Sequence, residues 1–318
     1  MAAWFRRFDR GLRLVAWLVV AGVGTTMLTQ TFGLDPGQVT AAAQSLTPYG
    51  VVLLVPVLVA ALVRRWWTVG TVGAAIGIGG VVLATPLVFP SSAPSPVQDA
   101  TTVDIAVVNL LYENDRSDEV GDTLLALDPD VIVFTEYSAE HQERLLAHDL
   151  AGALPHRVDR EGFGASGTAV WSQHPLTDQP TPDMVNFDVD IEILGPNGPF
   201  RVWAVHPPTP FHEGWQRDLR TIARRAPQVD GPLVVAGDFN ASYWHPVFRD
   251  VLRAGLTDAH IVNDRGWTTS WPLGRRIPPF VRLDHALTND LLTPVAVHDF
   301  TVPGSDHRGL VVSVAPAA

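Results

Sequence analysis

Hydrophobic and polar positions divide the chain into two stretches that follow different rules. Through residue 95 the apolar residues run almost without interruption. There are 21 uncharged residues between Arg13 and Asp35, 28 between Asp35 and Arg64, and 33 between Arg65 and Asp99. A helix needs about 20 apolar residues to cross a bilayer core about 30 Å thick, so each run is long enough for one span. The runs predict three transmembrane helices: Leu12–Phe32, Pro48–Val63 extended backwards through an alanine-rich stretch, and Thr68–Phe89. The third is rich in small residues (Gly70, Gly73, Ala74, Ala75, Gly77, Gly79, Gly80), a composition suited to close helix packing in lipid. Cleavage of the first run as a leader would leave two spans, but no small-x-small site follows it. Pro90–Pro96 reads as a short, semi-stiff linker.

From Thr101 onward the period shortens. Val103–Val108, Val131–Phe134, Thr168–Trp171, Phe200–Val205, Leu233–Ala236, Arg282–Leu287 and Leu310–Val314 read as strands, and Asp118–Leu127 and Trp215–Ala226 as helices. Many strands with a few helices between them predict an α/β sandwich, and no internal repeat is visible. The expected organisation is a membrane anchor over residues 1–95 followed by an α/β domain over residues 96–318.

Charge sharpens this division. The first 95 residues carry six arginines and two acids, a balance of +4, whereas the remaining 16 arginines face 31 acids, a balance of −15; all eleven histidines lie in the second stretch. Arg6, Arg7, Arg10 and Arg13 precede the first span and Arg64–Arg65 separate the second from the third, while Thr29–Thr47 has no positive charge. By the positive-inside rule the N-terminus is cytoplasmic and the chain leaves the third span on the outer side, with Trp66 and Trp67 as interfacial anchors. The sequence has no cysteine, which excludes disulfides, thiolate nucleophiles and Cys-ligated metals, and no lysine, which excludes Schiff-base and P-loop lysine chemistry. Net acidity also disfavours nucleic acid as the default partner, because that affinity rests on Lys and Arg neutralising phosphates.

The polar residues of the second stretch fall at the ends of apolar runs. Asn109, Glu136, His206, Asp238 and Asn240 each follow one, Asp284–His285 follow Val281, and Asp306–His307 precede the last. Taken singly, an Asn after a strand is a turn residue and an isolated Asp or His is a cap or a satisfied structural group. Together, groups at the ends of strands that share a sheet converge on one rigid edge.

Their order resembles the endonuclease/exonuclease/phosphatase (DNase I-like) superfamily. The matching blocks are Asn109, Thr135-Glu136-Tyr137, Ser172–Leu176 after Gly167, His206, Gly237-Asp238-Phe239-Asn240, Arg282-Leu-Asp284-His285 and Ser305-Asp306-His307, spread from Thr101 to Val314. The resemblance implies a four-layer sandwich, two packed β-sheets flanked by helices, and a metal-dependent phosphoesterase site along one edge. It implies Mg²⁺, or Mn²⁺, held by Glu136 with Asn109 beside it and Asp306 as a second-site or water-mediated contributor. Asp284 and His307 would form a carboxylate–imidazole pair, Asp238 and Asn240 would orient water and phosphate, and His206 would donate to a phosphoryl or leaving oxygen. The base is His307 or Asp238, with the His307–Asp284 pair favoured. His285 is open between structural and catalytic roles. Tyr137 is expected to pack, and His206 and His212 are not expected to form a metal site. The segment with Trp267, Trp271 and Arg275–Phe280 is open between a lid over core tryptophans and a substrate-side loop.

Three spans and an outward-facing domain also resemble the actinobacterial membrane branch associated with teicoplanin resistance, the VanJ-type proteins. That likeness implies a phosphorylated lipid substrate at the bilayer, of the undecaprenyl pyrophosphate kind, and a multi-pass cell-membrane location with the site outside the cytoplasm. The Ala/Gly/Pro/Arg-rich, lysine-free composition is consistent with a GC-rich genome. The competing readings are an extracytoplasmic metal-dependent nuclease and a non-catalytic surface binding module; the second would require loss of catalytic groups that are all present.

Overall fold

The computed structural model describes residues 2–34, 37–90, 93 and 95–318; of the expected linker, Ser91, Ser92 and Pro94 lie outside the described residues. The chain divides into two compact units, Met1–Val88 with Tyr243–Pro246, and Phe89–Ser242 with Val247–Ala318.

Among the described residues the first unit holds four helices, α1 (Ala2–Thr31), α2 (Gln38–Ser45), α3 (Thr47–Arg64) and α4 (Trp67–Val88). Three stretches are long and apolar enough to cross a membrane: Arg7–Thr31, Thr47–Arg64 and Trp67–Val88. The backward extension expected of the second span is a separate short helix, α2. The chain breaks at Leu46, and Pro48 then occupies the first turn of α3, where a missing N–H costs nothing. α3 ends where Arg65 takes a left-handed conformation (φ 58°). The small-residue stripe of α4 has a packing reason: a Cβ on Gly80 would fall 2.4 Å from Val51 Cγ2. Inside the unit Gln30 Nε2 donates to Thr47 Oγ1 at 2.6 Å, and Arg64 pairs with Asp9 at 2.9 Å. Leu18, Val52, Val59 and Val81 are exposed.

Among the described residues the second unit contains twelve strands: β1 (Val103–Asn109), β2 (Val131–Thr135), β3 (His156–Arg160), β4 (Thr168–Ser172), β5 (Leu176–Gln179), β6 (Val189–Gly195), β7 (Gly198–Val205), β8 (Leu233–Asp238), β9 (Thr257–Asp258), β10 (Asp284–Thr288), β11 (Leu292–Thr301) and β12 (Arg308–Pro316). They form two six-stranded sheets in the orders β11-β12-β1-β2-β4-β3 and β5-β6-β7-β8-β10-β9. Each sheet is antiparallel except for one central parallel pair, β1–β2 in the first and β7–β8 in the second. The helices of this unit are α5 (Ser117–Leu127), α6 (Ala139–Ala147), α7 (Leu150–Ala153), α8 (Trp215–Arg225), α9 (Pro246–Arg253) and α10 (Ala259–Val262). The result is the DNase I-like sandwich of two mixed sheets flanked by helices.

Side chains alternate between the faces of a strand, and the two apolar clusters obey this period. Ile105, Val107, Val131 and Val133 of one sheet pack with Ile191, Val202, Ala204, Val234 and Ala236 of the other to fill the space between the sheets. Ala106, Val108, Ile132 and Phe134 face the opposite way, onto Val120, Leu124, Leu145 and Leu150 of α5, α6 and α7. Tyr137 lies in this outer cluster and packs, as expected. The strand expected from Arg282 starts instead at Asp284, because the Leu283 N–H just before it donates to Ser270 Oγ at 3.0 Å rather than to a neighbouring strand.

Candidate active site

The inward alternation of the sandwich continues past its apolar part and turns polar at one end. Ile105 and Val107 are followed on the same face by Asn109, Val202 and Ala204 by His206, Val234 and Ala236 by Asp238, and Ala286 is preceded by Asp284. Both sheets therefore deliver buried polar groups to the rim of the shared core. Register brings two of them face to face, since Asp284 pairs with Asp238 across β8 and β10.

Asn109 is fully buried and organises the carboxylates. Its Nδ2 donates to Glu136 Oε1 at 3.1 Å and to Asp238 Oδ2 at 2.9 Å, while its Oδ1 accepts from the Leu111 N–H. The side-chain oxygen is thus turned away from the carboxylates, and a direct ligand role for Asn109 requires the amide to turn over. Glu136 directly follows β2 in a left-handed conformation (φ 56°), and its second oxygen accepts from the Tyr112 N–H at 3.0 Å.

The Gly237-Asp-Phe-Asn240 turn has a local physical basis. Gly237 runs so close to β7 that a Cβ would lie 2.0 Å from the Val205 carbonyl oxygen. Asp238 Oδ1 accepts the Asn240 N–H at 2.7 Å, closing an Asx turn that holds Asn240 at φ 48°, a conformation Asn tolerates better than most residues. Asn240 Nδ2 in turn donates to the Pro207 carbonyl at 3.0 Å and sits 3.4 Å from His206 Nε2.

His307 Nδ1 donates to Asp284 Oδ2 at 2.8 Å, and its Nε2 faces Asp238 Oδ2 at 3.7 Å. His206 Nε2 approaches the same Asp238 oxygen from another side, at 3.9 Å. Burial raises Asp238 and Asp284 adds to the rise; with His307 and His206 opposing, the carboxyl settles at about 6. Burial alone would discharge His307, but Asp284 and Asp238 together push it up to about 10. The two carboxylates thus favour the charged form of the ring.

Among the described residues, two groups of acid and imidazole donors have ligand atoms within 4.8 Å of one another: Glu136, His206 and Asp238, and Asp238, Asp284 and His307. The carboxylate side of this set suits a hard cation that prefers oxygen ligands and retains water, as Mg²⁺ does. Asp306 belongs to neither group. Its Oδ2 accepts from Trp271 Nε1 at 3.2 Å and Arg275 at 3.3 Å, and its Oδ1 stands 4.0 Å from His307 Nε2. The loop carrying Trp271 and Arg275 is thereby tied to the site, with Trp267 and Ile277 exposed along it.

Two features escape sequence reasoning. Asp188 is buried behind His206, accepting the His206 N–H at 3.4 Å and Trp203 Nε1 at 3.1 Å, and burial pushes it up to about 8. Its position gives no signal, since Asp188 shares the parity of Asp190 and Glu192, the face of this strand turned away from the core between the sheets. The second is the buried cluster of Asp258, Arg282 and His285, whose members are spread along the sequence and meet only in the fold.

The sequence model of the endonuclease/exonuclease/phosphatase family matches residues 106–307. Among solved structures, an endonuclease/exonuclease/phosphatase from Beutenbergia cavernae is similar at 19% identity and a TM-score of 0.52, covering 68% of this chain and 72% of that one. D. rerio TDP2 complexed with a single-strand DNA product is similar at 13% identity and 0.53, covering 67% and 99%. An AP endonuclease from Archaeoglobus fulgidus is similar at 16% identity and 0.50, covering 66% and 98%. No curated protein matches the chain.

Proposed function

Because the chain belongs to the endonuclease/exonuclease/phosphatase family, we propose that it is a membrane-anchored, divalent-metal-dependent hydrolase that cleaves a lipid-linked phosphate or pyrophosphate outside the cytoplasm. Glu136 would hold Mg²⁺ or Mn²⁺, with Asn109 fixing its carboxylate and Asp306 contributing at longer range. Bound there, the cation supplies Lewis-acid polarisation of a phosphoryl oxygen.

The remaining groups divide the proton chemistry. Of the two candidate bases, Asp238 is the one we take, because Asp284 and Asp238 favour the charged form of His307 over the free imidazole that the His307–Asp284 pair would need. Asp238, ionised above about pH 6, takes a proton from water as the water oxygen bonds to phosphorus. His307, held charged by Asp284, faces the negative charge that builds on the phosphoryl oxygens. The bond from phosphorus to the leaving oxygen breaks, and His206 donates toward that oxygen while Asn240 orients the phosphate.

One observation carries the choice of substrate: within a single chain, a phosphoesterase unit is joined to three helices of membrane-spanning length and composition. Their exposed leucines and valines would be an aggregation surface in water and are at home in lipid. The −15 balance of the second stretch weakens the nuclease reading. The VanJ-type likeness adds undecaprenyl pyrophosphate as the specific candidate, and arginine placement puts the domain outside the cytoplasm. Purified full-length protein in detergent with Mg²⁺ should release phosphate from a polyprenyl pyrophosphate and leave plasmid DNA intact, and Glu136→Ala should lose that release while remaining folded. Rapid DNA nicking without lipid turnover would overturn the substrate assignment in favour of the nuclease. A reporter fused after Pro96 should be active only outside the cytoplasm.

A further inference from the structure

Directly after Asp284 lies a second acid–histidine pair that no step above uses. Asp258 Oδ2 stands 2.8 Å from His285 Nδ1 and accepts from Arg282 at 3.0 Å; all three side chains are buried. The other oxygen of Asp258 caps α10, accepting the His260 and Ile261 N–H groups at 2.9 and 3.1 Å. His285 Nε2 lies 2.9 Å from the carbonyl oxygen of Ala241. The ring therefore has an acceptor at each nitrogen and no free edge. Phe239 and Phe248 pack against its faces, with centroids 5.5 and 4.3 Å away.

These contacts join the two segments that carry the reacting groups. Arg282 and His285 flank Asp284 in sequence. Ala241 follows Asn240, and its carbonyl is the first backbone acceptor after that left-handed residue. The backbone adds a parallel tie, from the Phe239 N–H to the Leu283 carbonyl at 2.9 Å. Burial opposes the charge of Asp258, yet Arg282 and His285 hold its carboxyl well below the usual carboxylate range. A buried charge cluster contributes little net stability once desolvation is counted, and its best-attested use is to fix one arrangement of the chain.

We infer that His285, held by Asp258, is a positioning residue that locks the Asp238–Asn240 turn against the strand carrying Asp284, so that Asn240 meets the phosphate in a fixed orientation. The inference rests on the hydrolase reading of the site and is independent of which phosphoester is cleaved. A displaced Asn240 affects the reacting geometry more than substrate capture, so the loss belongs in kcat. Glu136 is not held through this cluster, so metal affinity should not follow.

The test compares wild-type full-length protein in detergent with His285→Phe, which keeps an aromatic ring between Phe239 and Phe248 and removes both polar contacts. Activity is read on bis(p-nitrophenyl) phosphate with Mg²⁺, and Mg²⁺ affinity by calorimetry. The expected result is a kcat lowered about ten- to hundredfold, the range typical of groups that orient functional residues, with KM and Mg²⁺ affinity within about threefold of wild type. If His285→Phe does not fold, His285→Gln is read on the same terms. A folded variant with wild-type kcat, or one whose only defect is a lower Tm, overturns the inference while leaving the hydrolase reading intact. A wild-type protein that turns over neither this ester nor a phosphorylated lipid overturns both.

Discussion

Two buried carboxylate–histidine pairs sit next to each other in this domain, and they are geometrically the same at one end. In Asp284–His307 and in Asp258–His285 an Oδ2 stands 2.8 Å from Nδ1. The difference is at Nε2. That of His307 looks onto Asp238 across 3.7 Å, a gap too long for a hydrogen bond. That of His285 ends on the Ala241 carbonyl at 2.9 Å. An imidazole with one free nitrogen can serve a reacting group, whereas one closed at both ends can only hold its neighbours. The pairing of an acid with a histidine therefore does not by itself identify chemistry; the occupancy of the second nitrogen does.

The largest expected effect is on the open pair. His307→Asn and Asp238→Asn should each lower kcat about 10²–10⁴-fold, the first by removing the charge that faces the phosphoryl oxygens and the second by removing the base. Single-turnover phosphate release would measure it, and a folded His307→Asn protein with wild-type turnover would erase the distinction between the pairs. Asp284→Asn comes next, with a loss of about 10²–10³-fold expected, since His307 keeps its place but loses the partner that holds its charge. The closed pair should lose less, and only in kcat, as described for His285→Phe.

A third buried acid next to a histidine sharpens the comparison from the side of stability. Asp188 touches the backbone N–H of His206 and not its ring, so it should matter to folding more than to chemistry. Its folded value of about 8 lies above the ordinary 3.8. Between those values the folded chain keeps a proton that the unfolded chain has released, so stability falls as pH rises, and the penalty is complete above about pH 8. Asp188→Asn carries no charge at any pH and can still accept from Trp203. Its Tm should exceed wild type by about 4 °C or more near pH 9, the shift that about 1–2 kcal/mol produces in a domain of this size, and converge on it as pH falls to about 4. A variant less stable than wild type at both pH values would contradict this account of Asp188.

Much of the fold was legible because its central strands are short runs buried on both faces. Val131–Thr135 and Thr168–Ser172 have no exposed residue and stand out in any hydrophobic profile. The strands that sequence reasoning missed include β3 and β5 at the sheet edges, where His156–Arg160 and Leu176–Gln179 are half-buried, polar and without a clean alternation. The candidate site was legible as an order of polar residues after apolar runs. What the order could not convey was orientation: that Asn109 turns its amide nitrogen to both carboxylates, that Asp306 is engaged by Trp271 and Arg275, and that His307 lies between Asp284 and Asp238. Those facts depend on groups far apart in sequence. The closed pair was illegible for the same reason, since Asp258 reads as an ordinary helix cap until Arg282 and His285 are brought beside it.

The most direct test of the distinction is the pH–rate profile of kcat/KM for wild type and His285→Phe measured side by side. The account predicts a bell for wild type, with activity rising as Asp238 ionises near pH 6 and falling as His307 loses its proton toward pH 10. His285→Phe should give the same two limbs at lower height, because it disturbs position and carries no proton in the reaction. An alkaline limb that moves or vanishes in His285→Phe would contradict the account, since it would make the closed pair a participant in the chemistry.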